Sequence, residues 1–318
     1  MSVEGWSWRL VLGTGGGLGP ADGPTNMAVD SALLAAVKRG APPVLRLYRW
    51  SPATLSFGRN QPARGRYDEE GARELGIDFV RRPTGGQAVL HDEELTYAVV
   101  APVAVVGRPR AAYGRINEAL VRGLRHLGVS AVLAGAGVAT DTGDRRGAGA
   151  PETDEAGPAA GSRVAGRDWD AACFRRPQRG EVMADGAKLV GSAQRMEDRT
   201  ILQHGSILIG GTQGLAEALL LAPAGVASPG PAPVPTSSTG ADRTGDPGPA
   251  SRFDPGWTTL ERALDRRPGL DELAGAIRSG FGDVLGVEPE AGRLTADETG
   301  LLEELVSHYR SEEWTWRR

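Results

Sequence analysis

The stretch Glu181-Val-Met-Ala-Asp-Gly-Ala-Lys-Leu-Val-Gly-Ser-Ala-Gln-Arg195, with Ile201-Leu-Gln-His-Gly-Ser-Ile-Leu-Ile209 just beyond it, decides the fold class. Asp185-Gly186 stands between two apolar runs, and Gly supplies the positive φ that a two-residue hairpin turn needs. Glu181 to Ala184 and Ala187 to Arg195 are therefore expected to pair antiparallel, with Ile201 to Ile209 as the following strand. Working outward, Val44 to Trp50 alternates like a half-buried strand, and Ala53 to Phe57 is expected to pair with it after a Ser51-Pro52 turn. Ile77 to Arg81, Ala88 to Leu90 and Leu95 to Val100 read as further strands. Helical spacing appears at residues 25 to 39, capped by Thr25 or Asn26, at Tyr67 to Leu75, and at Arg115 to Leu127. It appears again at Asp271 to Leu285 and at Ala296 to Tyr309. Hairpins mixed with helices, without strict βαβ alternation, predict an α+β fold: a largely antiparallel sheet core flanked by helices.

Two stretches break this pattern. Residues 136 to 167 are Gly, Ala, Asp and Arg with almost no large apolar side chain, and residues 223 to 255 are dominated by Pro, Gly, Ser and Thr. Neither buries enough surface to offset its ordering entropy, so both are expected to be flexible insertions.

The 318 residues carry 36 Lys plus Arg against 40 Asp plus Glu, a net charge of −4. That balance supplies no basic field for nucleic acid or anionic lipid, so neither is an expected partner. No run approaches the roughly 18 apolar residues of a membrane span, and the first ten residues lack the basic head and apolar core of a signal peptide. The single cysteine permits no internal disulfide, and a cytoplasmic location is the simplest expectation. Only Lys38 and Lys188 represent lysine, in a chain otherwise charged by arginine.

The first candidate site is Arg81-Arg-Pro-Thr-Gly-Gly-Gln-Ala-Val-Leu-His91. A strand ends in two arginines, and two glycines then allow close backbone approach to a ligand. Exposed N–H groups beside Arg81 and Arg82 would suit a phosphate, a carboxylate or an acyl amide; a plain hairpin with solvated arginines is the competing reading. His91 is either an acid–base group or structural. Cys173 becomes a nucleophile only if a nearby cation or base stabilises its thiolate, and is otherwise a small buried hydrophobe. Lys188, just past the hairpin turn, is such a cation or base if held against apolar strands. His204, beside Gly205, either lines a pocket or is hydrogen-bonded within the core. There is no CxxC pair, no His pair at ligand spacing and no P-loop, so no metal and no nucleotide loop are expected.

Four segments together resemble the biotin/lipoate protein ligase family: Asn26-Met-Ala-Val-Asp30, Arg81 to Asp92, Asp185 to Gln194 and Leu202-Gln-His-Gly-Ser-Ile207. The order and number of these motifs carry the resemblance. It implies that residues 1 to 318 form one catalytic domain of this kind, interrupted by the two insertions. Cys173, followed by Phe174 and then Lys188, resembles the octanoyltransferase branch, as does His91-Asp-Glu-Glu-Leu-Thr-Tyr97.

That branch implies Cys173 and Lys188 as catalytic residues. It implies substrate binding by Arg81, Arg82, Thr84, Gly85, Gly86, Ala88, His91, Gly191, Ser192, Ala193, His204 and Gly205. Arg81 and Arg82 would face a pantetheine phosphate or an acidic carrier protein, and side chains of the Val89 and Leu189 strands would line an acyl channel. Octanoyl-acyl carrier protein would be the donor and a lipoyl domain the acceptor, either the glycine cleavage H protein or a 2-oxoacid dehydrogenase E2 subunit. No cofactor is implied. Two alternatives stay open: an ATP-dependent lipoate–protein ligase, needing ATP and Mg, and a non-enzymatic binder of acyl groups or lipoyl domains.

Overall fold

The computed structural model describes residues 6–135, 178–221 and 256–317. Cys173 and both expected insertions lie outside them.

The chain enters through β1 (Arg9–Leu12) and the two-residue β2 (Pro20–Ala21) before helix α1 (Gly23–Lys38). Asp22 caps α1, its carboxylate accepting the Thr25 N–H at 2.8 Å. Asn26, one of the two expected caps, instead sits inside the helix and donates to the Ala21 and Arg49 carbonyls. β3 (Val44–Trp50) follows, then β4 (Thr54–Phe57), α2 (Glu69–Glu74), β5 (Asp78–Arg81), β6 (Val89–His91) and β7 (Glu94–Pro102). A short α3 (Val103–Val106) leads into α4 (Pro109–His126), which starts earlier than its apolar period suggests because Pro109 is suited to a first helical turn. β8 (Ala131–Leu133) closes the first described part. The second holds β9 (Val182–Ala184), β10 (Ala187–Glu197), β11 (Thr200–Leu208) and α5 (Gly214–Ala218). The third holds α6 (Leu260–Leu264), α7 (Leu270–Leu285), β12 (Glu290–Gly292), α8 (Ala296–Gly300), α9 (Leu302–Arg310) and α10 (Glu312–Thr315).

The main sheet runs β12-β1-β3-β7-β11-β10-β9-β8, with β2 also on β3. From β3 to β8 every neighbouring pair is antiparallel, including the expected β9–β10 hairpin, while β12 and β1 join in parallel. The expected partner of β4 is corrected. β4 does not continue on β3 but sits at the centre of a separate sheet, order β5-β4-β6. All four of its residues are buried, as a strand with neighbours on both edges requires.

Alternation along β3 divides the core. Leu45 and Leu47 point to the face covered by α4 and α7, and Val44 and Tyr48 to the face covered by α1 and α9. Helices α4 and α7 cross with almost no space between them: a Cβ added at Gly280 would lie 2.2 Å from the Ala119 carbonyl oxygen. No helix among the described residues is long and apolar enough to cross a membrane.

Candidate functional site

Residues 82 to 88 form a turn joining β5 to β6, and the core holds it from beneath. Gly86 has φ +99°, a conformation that favours glycine. Gly58 packs so close to it that a Cβ there would meet the Gly86 oxygen at 1.9 Å. Gly85 and Gly86 are exposed. The arginines are not. Arg81, 0% exposed, donates to the Gly58 and Gln61 carbonyls at 2.6 and 2.7 Å and to the Thr315 carbonyl at 2.9 Å. Arg82, 4% exposed, donates to the Ser56 and Gln87 carbonyls, both at 2.8 Å. The expectation that this pair faces a phosphate or an acidic carrier is therefore corrected. Both guanidiniums bind backbone carbonyls under the turn, which the fork of donors on arginine suits well. Ala88 lies in the apolar cluster of Leu55, Phe57 and Leu90.

Two carboxylate–imidazole–hydroxyl chains converge behind this turn. In one, the Thr84 hydroxyl is 2.6 Å from His204 Nε2, and His204 Nδ1 is 2.9 Å from Asp30 Oδ2. Asp30 also accepts from Arg46 at 2.6 Å and from the Tyr48 hydroxyl at 3.0 Å. Burial pushes the Asp30 carboxyl up, but the charge of Arg46 and the bonds from His204 and Arg46 outweigh it, so its pKa lies below the usual range. Burial likewise holds His204 below the usual imidazole range. A carboxylate beside a neutral imidazole fixes the tautomer: Nδ1–H donates to Asp30, and Nε2 accepts the Thr84 proton. In the second chain, the Ser56 hydroxyl is 2.6 Å from His91 Nε2, and His91 Nδ1 is 2.8 Å from Glu94 Oε1. His91 stacks on Trp50 with ring centroids 3.9 Å apart.

Lys188 stands at the start of β10 with its side chain 1% exposed. Its Nζ donates to Glu181 Oε1 at 2.8 Å, and Glu181 Oε2 accepts the Gln178 backbone N–H at 2.7 Å. Trp257 pairs with Lys188 as an isolated bridge and packs with Val89 and Leu208, which links the lysine to the end of the turn. Leu189 itself faces the other way, into the main core.

Further along β10, Gly191, Ser192 and Ala193 lie opposite Ser206, Gly205 and His204 of β11. A Cβ at Gly205 would sit 2.2 Å from the Gly191 oxygen, so only glycine permits this pairing. Ser192 is held in a chain in which Gln203 donates to the Tyr97 hydroxyl, Tyr97 bonds Ser192, and Ser192 reaches Asn117. Among the described residues no group of three His, Cys, Asp or Glu could hold a metal ion.

The structure thus gathers Thr84, Gly85, Gly86, His91 and His204 around one turn, with Lys188 joined to it through Trp257, while Gly205 lies against Gly191 and Ser192 in the main sheet. Asp30, Ser56, Glu94 and Glu181 were not singled out as site residues. Asp30 and Glu94 carry a signal, since both lie in quoted motifs, whereas the roles of Ser56 and Glu181 emerge only through partners that folding supplies.

The family described as the lipoyl protein ligase A/B catalytic domain matches residues 22–281. The octanoyltransferase LipM of Kyrpidia tusciae is 37% identical over 98% of this chain and 99% of its own. The octanoyltransferase LipM of Bacillus subtilis is 30% identical over 98% of this chain and 99% of its own. Among solved structures, a lipoate-protein ligase A bound with ATP superposes with a TM-score of 0.68 at 22% identity, covering 98% of each chain. A putative lipoate protein ligase from Thermoplasma acidophilum gives the same TM-score and identity over 98% of this chain and 100% of its own.

Proposed function

Because this chain belongs to the lipoyl protein ligase A/B catalytic-domain family, we propose that it is an octanoyltransferase of lipoate biosynthesis, moving octanoyl from acyl carrier protein to a lysine of a lipoyl domain. The observation that carries this reading is the end-to-end similarity to octanoyltransferases. Cys173 is the proposed nucleophile. Its thiolate attacks the carbonyl carbon of the carrier thioester, the carrier's C–S bond breaks, and the carrier leaves as a thiol after taking up a proton. The acceptor lysine, as a free amine, then attacks the octanoyl-Cys173 thioester. An amide forms, the amine releases a proton, and the cysteine is regenerated. A thioester is already activated toward an amine, so neither step calls for ATP or a cofactor. Supporting Cys173 are its place as the single cysteine and its position five residues before Gln178, whose N–H is bound by the partner of Lys188.

Each transfer passes through an oxyanion that N–H donors must stabilise. The exposed Gly85-Gly86 turn, braced by Arg82 and by Thr84 on His204, is the rigid backbone proposed for that role. The acceptor is proposed to be the glycine cleavage H protein or a dehydrogenase E2 subunit. A cytoplasmic location fits a chain with one cysteine. A second reading, an ATP-dependent lipoate ligase, draws on the fold shared with an ATP-bound ligase.

Intact-mass spectrometry with octanoyl carrier protein and no ATP tests both. A single octanoyl adduct that hydroxylamine removes, absent from Cys173→Ser, is the expected result. No adduct, but acceptor modification from free lipoate and ATP, moves the chain to the ligase class.

A further inference from the structure

Glu94, buried at the start of β7, reaches the glycine turn through a directed chain of hydrogen bonds. Arginine can only donate, so Ser56 Oγ, which accepts from Arg82 Nη1 at 2.5 Å, must send its own proton elsewhere. His91 Nε2 lies 2.6 Å from that oxygen and the Val89 carbonyl 3.3 Å, so the proton goes to the imidazole. Nε2 is thereby an acceptor, and Nδ1 carries the ring proton toward Glu94 Oε1 at 2.8 Å, with Ser206 Oγ a longer second contact at 3.2 Å. Glu94 Oε1 also accepts the Thr96 hydroxyl, whose oxygen accepts Trp50 Nε1–H at 2.7 Å. Glu94 Oε2 has no hydrogen-bond partner among the described residues, so the bonds to Oε1 set the orientation of the carboxylate. At the other end of the chain, Arg82 Nη2 donates to the Gly85 carbonyl at 3.2 Å and to the Gln87 carbonyl at 2.8 Å. The Gly85–Gly86 peptide is trans, so its N–H points opposite to its carbonyl. The Gly86 N–H therefore faces away from Arg82, at an exposed residue.

We infer that Glu94, His91 and Ser56 are positioning residues for acyl transfer: they fix Arg82, Arg82 holds the Gly85 and Gln87 carbonyls inward, and the Gly86 N–H is thereby presented to the oxyanion. This rests on the oxyanion reading of the turn given above. The arrangement has the order of an acid, a base and a nucleophile, but it cannot work as one. Ser56 is fully buried and its oxygen is already bound by Arg82, so it attacks nothing. His91, which the resemblance implied as a substrate-binding residue, acts instead through Ser56 and Arg82 on the backbone of the turn.

The test is steady-state transfer from octanoyl carrier protein to whichever of the H protein and the E2 subunit the native chain modifies. It compares the native chain with Ser56→Ala, Glu94→Gln, the double variant and Gly86→Ala, with folding followed by circular dichroism and the His91 tautomer by nitrogen NMR. S56A leaves Arg82 its 2.8 Å bond to the Ser56 carbonyl, so the chain of hydrogen bonds is cut with little loss of packing. A fall in kcat of about tenfold with KM for the carrier nearly unchanged is expected, short of the roughly 10²–10³ that outright removal of an oxyanion donor costs. E94Q is expected to be slow in the native background and to add nothing in the S56A background, where its path to the turn is already broken. A native kcat in folded S56A overturns the inference, as does an E94Q loss that is undiminished in the S56A background or a native His91 protonated at Nε2. If E94Q does not fold, His91→Gln takes its place in the cycle under the same requirement. G86A keeps the two layers apart, because its Cβ strains a φ of +99° at an exposed position and so moves the turn itself. A native rate in G86A ends the oxyanion reading, whereas a slow G86A beside a native-rate S56A ends the role of the Glu94 chain alone.

Discussion

His204 sits where two demands meet: it must orient Thr84, and it must do so uncharged inside the core. Burial depresses its folded pKa below the usual 6.5, so the unfolded chain binds a proton more readily than the folded one. The stability tied to the neutral imidazole is therefore complete above about pH 6.5 and is lost as pH falls toward the lower folded pKa. Asp30, also net-depressed, contributes in the same sense but only at more acid pH, below its usual 3.8. The melting temperature of the native chain is expected to drop between pH 7.5 and 5, and that of His204→Gln to depend on pH less steeply over the same range. Parallel curves would remove His204 from the account. From the sequence His204 reads equally as a pocket residue or a core residue, because the decisive partner, Asp30, is 174 positions away. The burial of Arg81 and Arg82 is not legible in the sequence for a related reason. Paired arginines at a strand end look solvated until the carbonyls they bind, some of them beyond residue 310, are brought in.

Among the elements, β10 and β11 were readable because the Asp185-Gly186 turn and the apolar runs are local signals. The placement of β4 was not, since its alternation fits either sheet and its neighbours decide. The expected helix over Ala296 to Tyr309 divides into α8 and α9 near Gly300, a residue that weakens helix interiors. Close backbone approaches give this scale its sharpest prediction. Gly205→Ala sets a methyl 2.2 Å from the Gly191 oxygen between two paired strands, so backbone must move. A loss of about 2 kcal/mol is expected from urea unfolding, together with slower transfer because Ser192 shifts with the strand. A Gly205→Ala chain with an unchanged urea midpoint would show that the pairing is looser than described.

At the level of the whole molecule, the described ends of the chain on either side of residues 136–177 are tied together. Ala134 donates to the Glu181 carbonyl and Gly180 to the Ala134 carbonyl, both at 2.8 Å. Residues between them therefore start and finish at one place on β8 and β9. Deleting 140–166, which spares Cys173, is expected to leave turnover intact; loss of turnover in a deletion that still melts cooperatively would contradict this. The C-terminal helices matter more. Trp316 packs against Phe57 and Phe79, with ring centroids 5.2 and 5.1 Å apart. Trp316→Ala is expected to cost ~2 kcal/mol through those two ring contacts and to slow transfer by loosening the floor of the turn. The class of fold was legible from hairpin signals. The strand order, and the return of residues 256–258 to Lys188, depend on contacts too distant for any local pattern to carry.

The Arg81 anchor also bears on how the protein is made. Its guanidinium and carbonyl are bound by Trp314 and Thr315, more than 230 residues downstream. At roughly 5–20 residues per second on the ribosome, the glycine turn exists for about 10–50 s before the groups that brace its floor have been synthesised. The amino-terminal strands can pair while the chain is still nascent, but the site matures after them. A fusion that restrains residues 312–317 would therefore yield chains that are folded yet slow, a defect visible in activity per molecule and not in solubility.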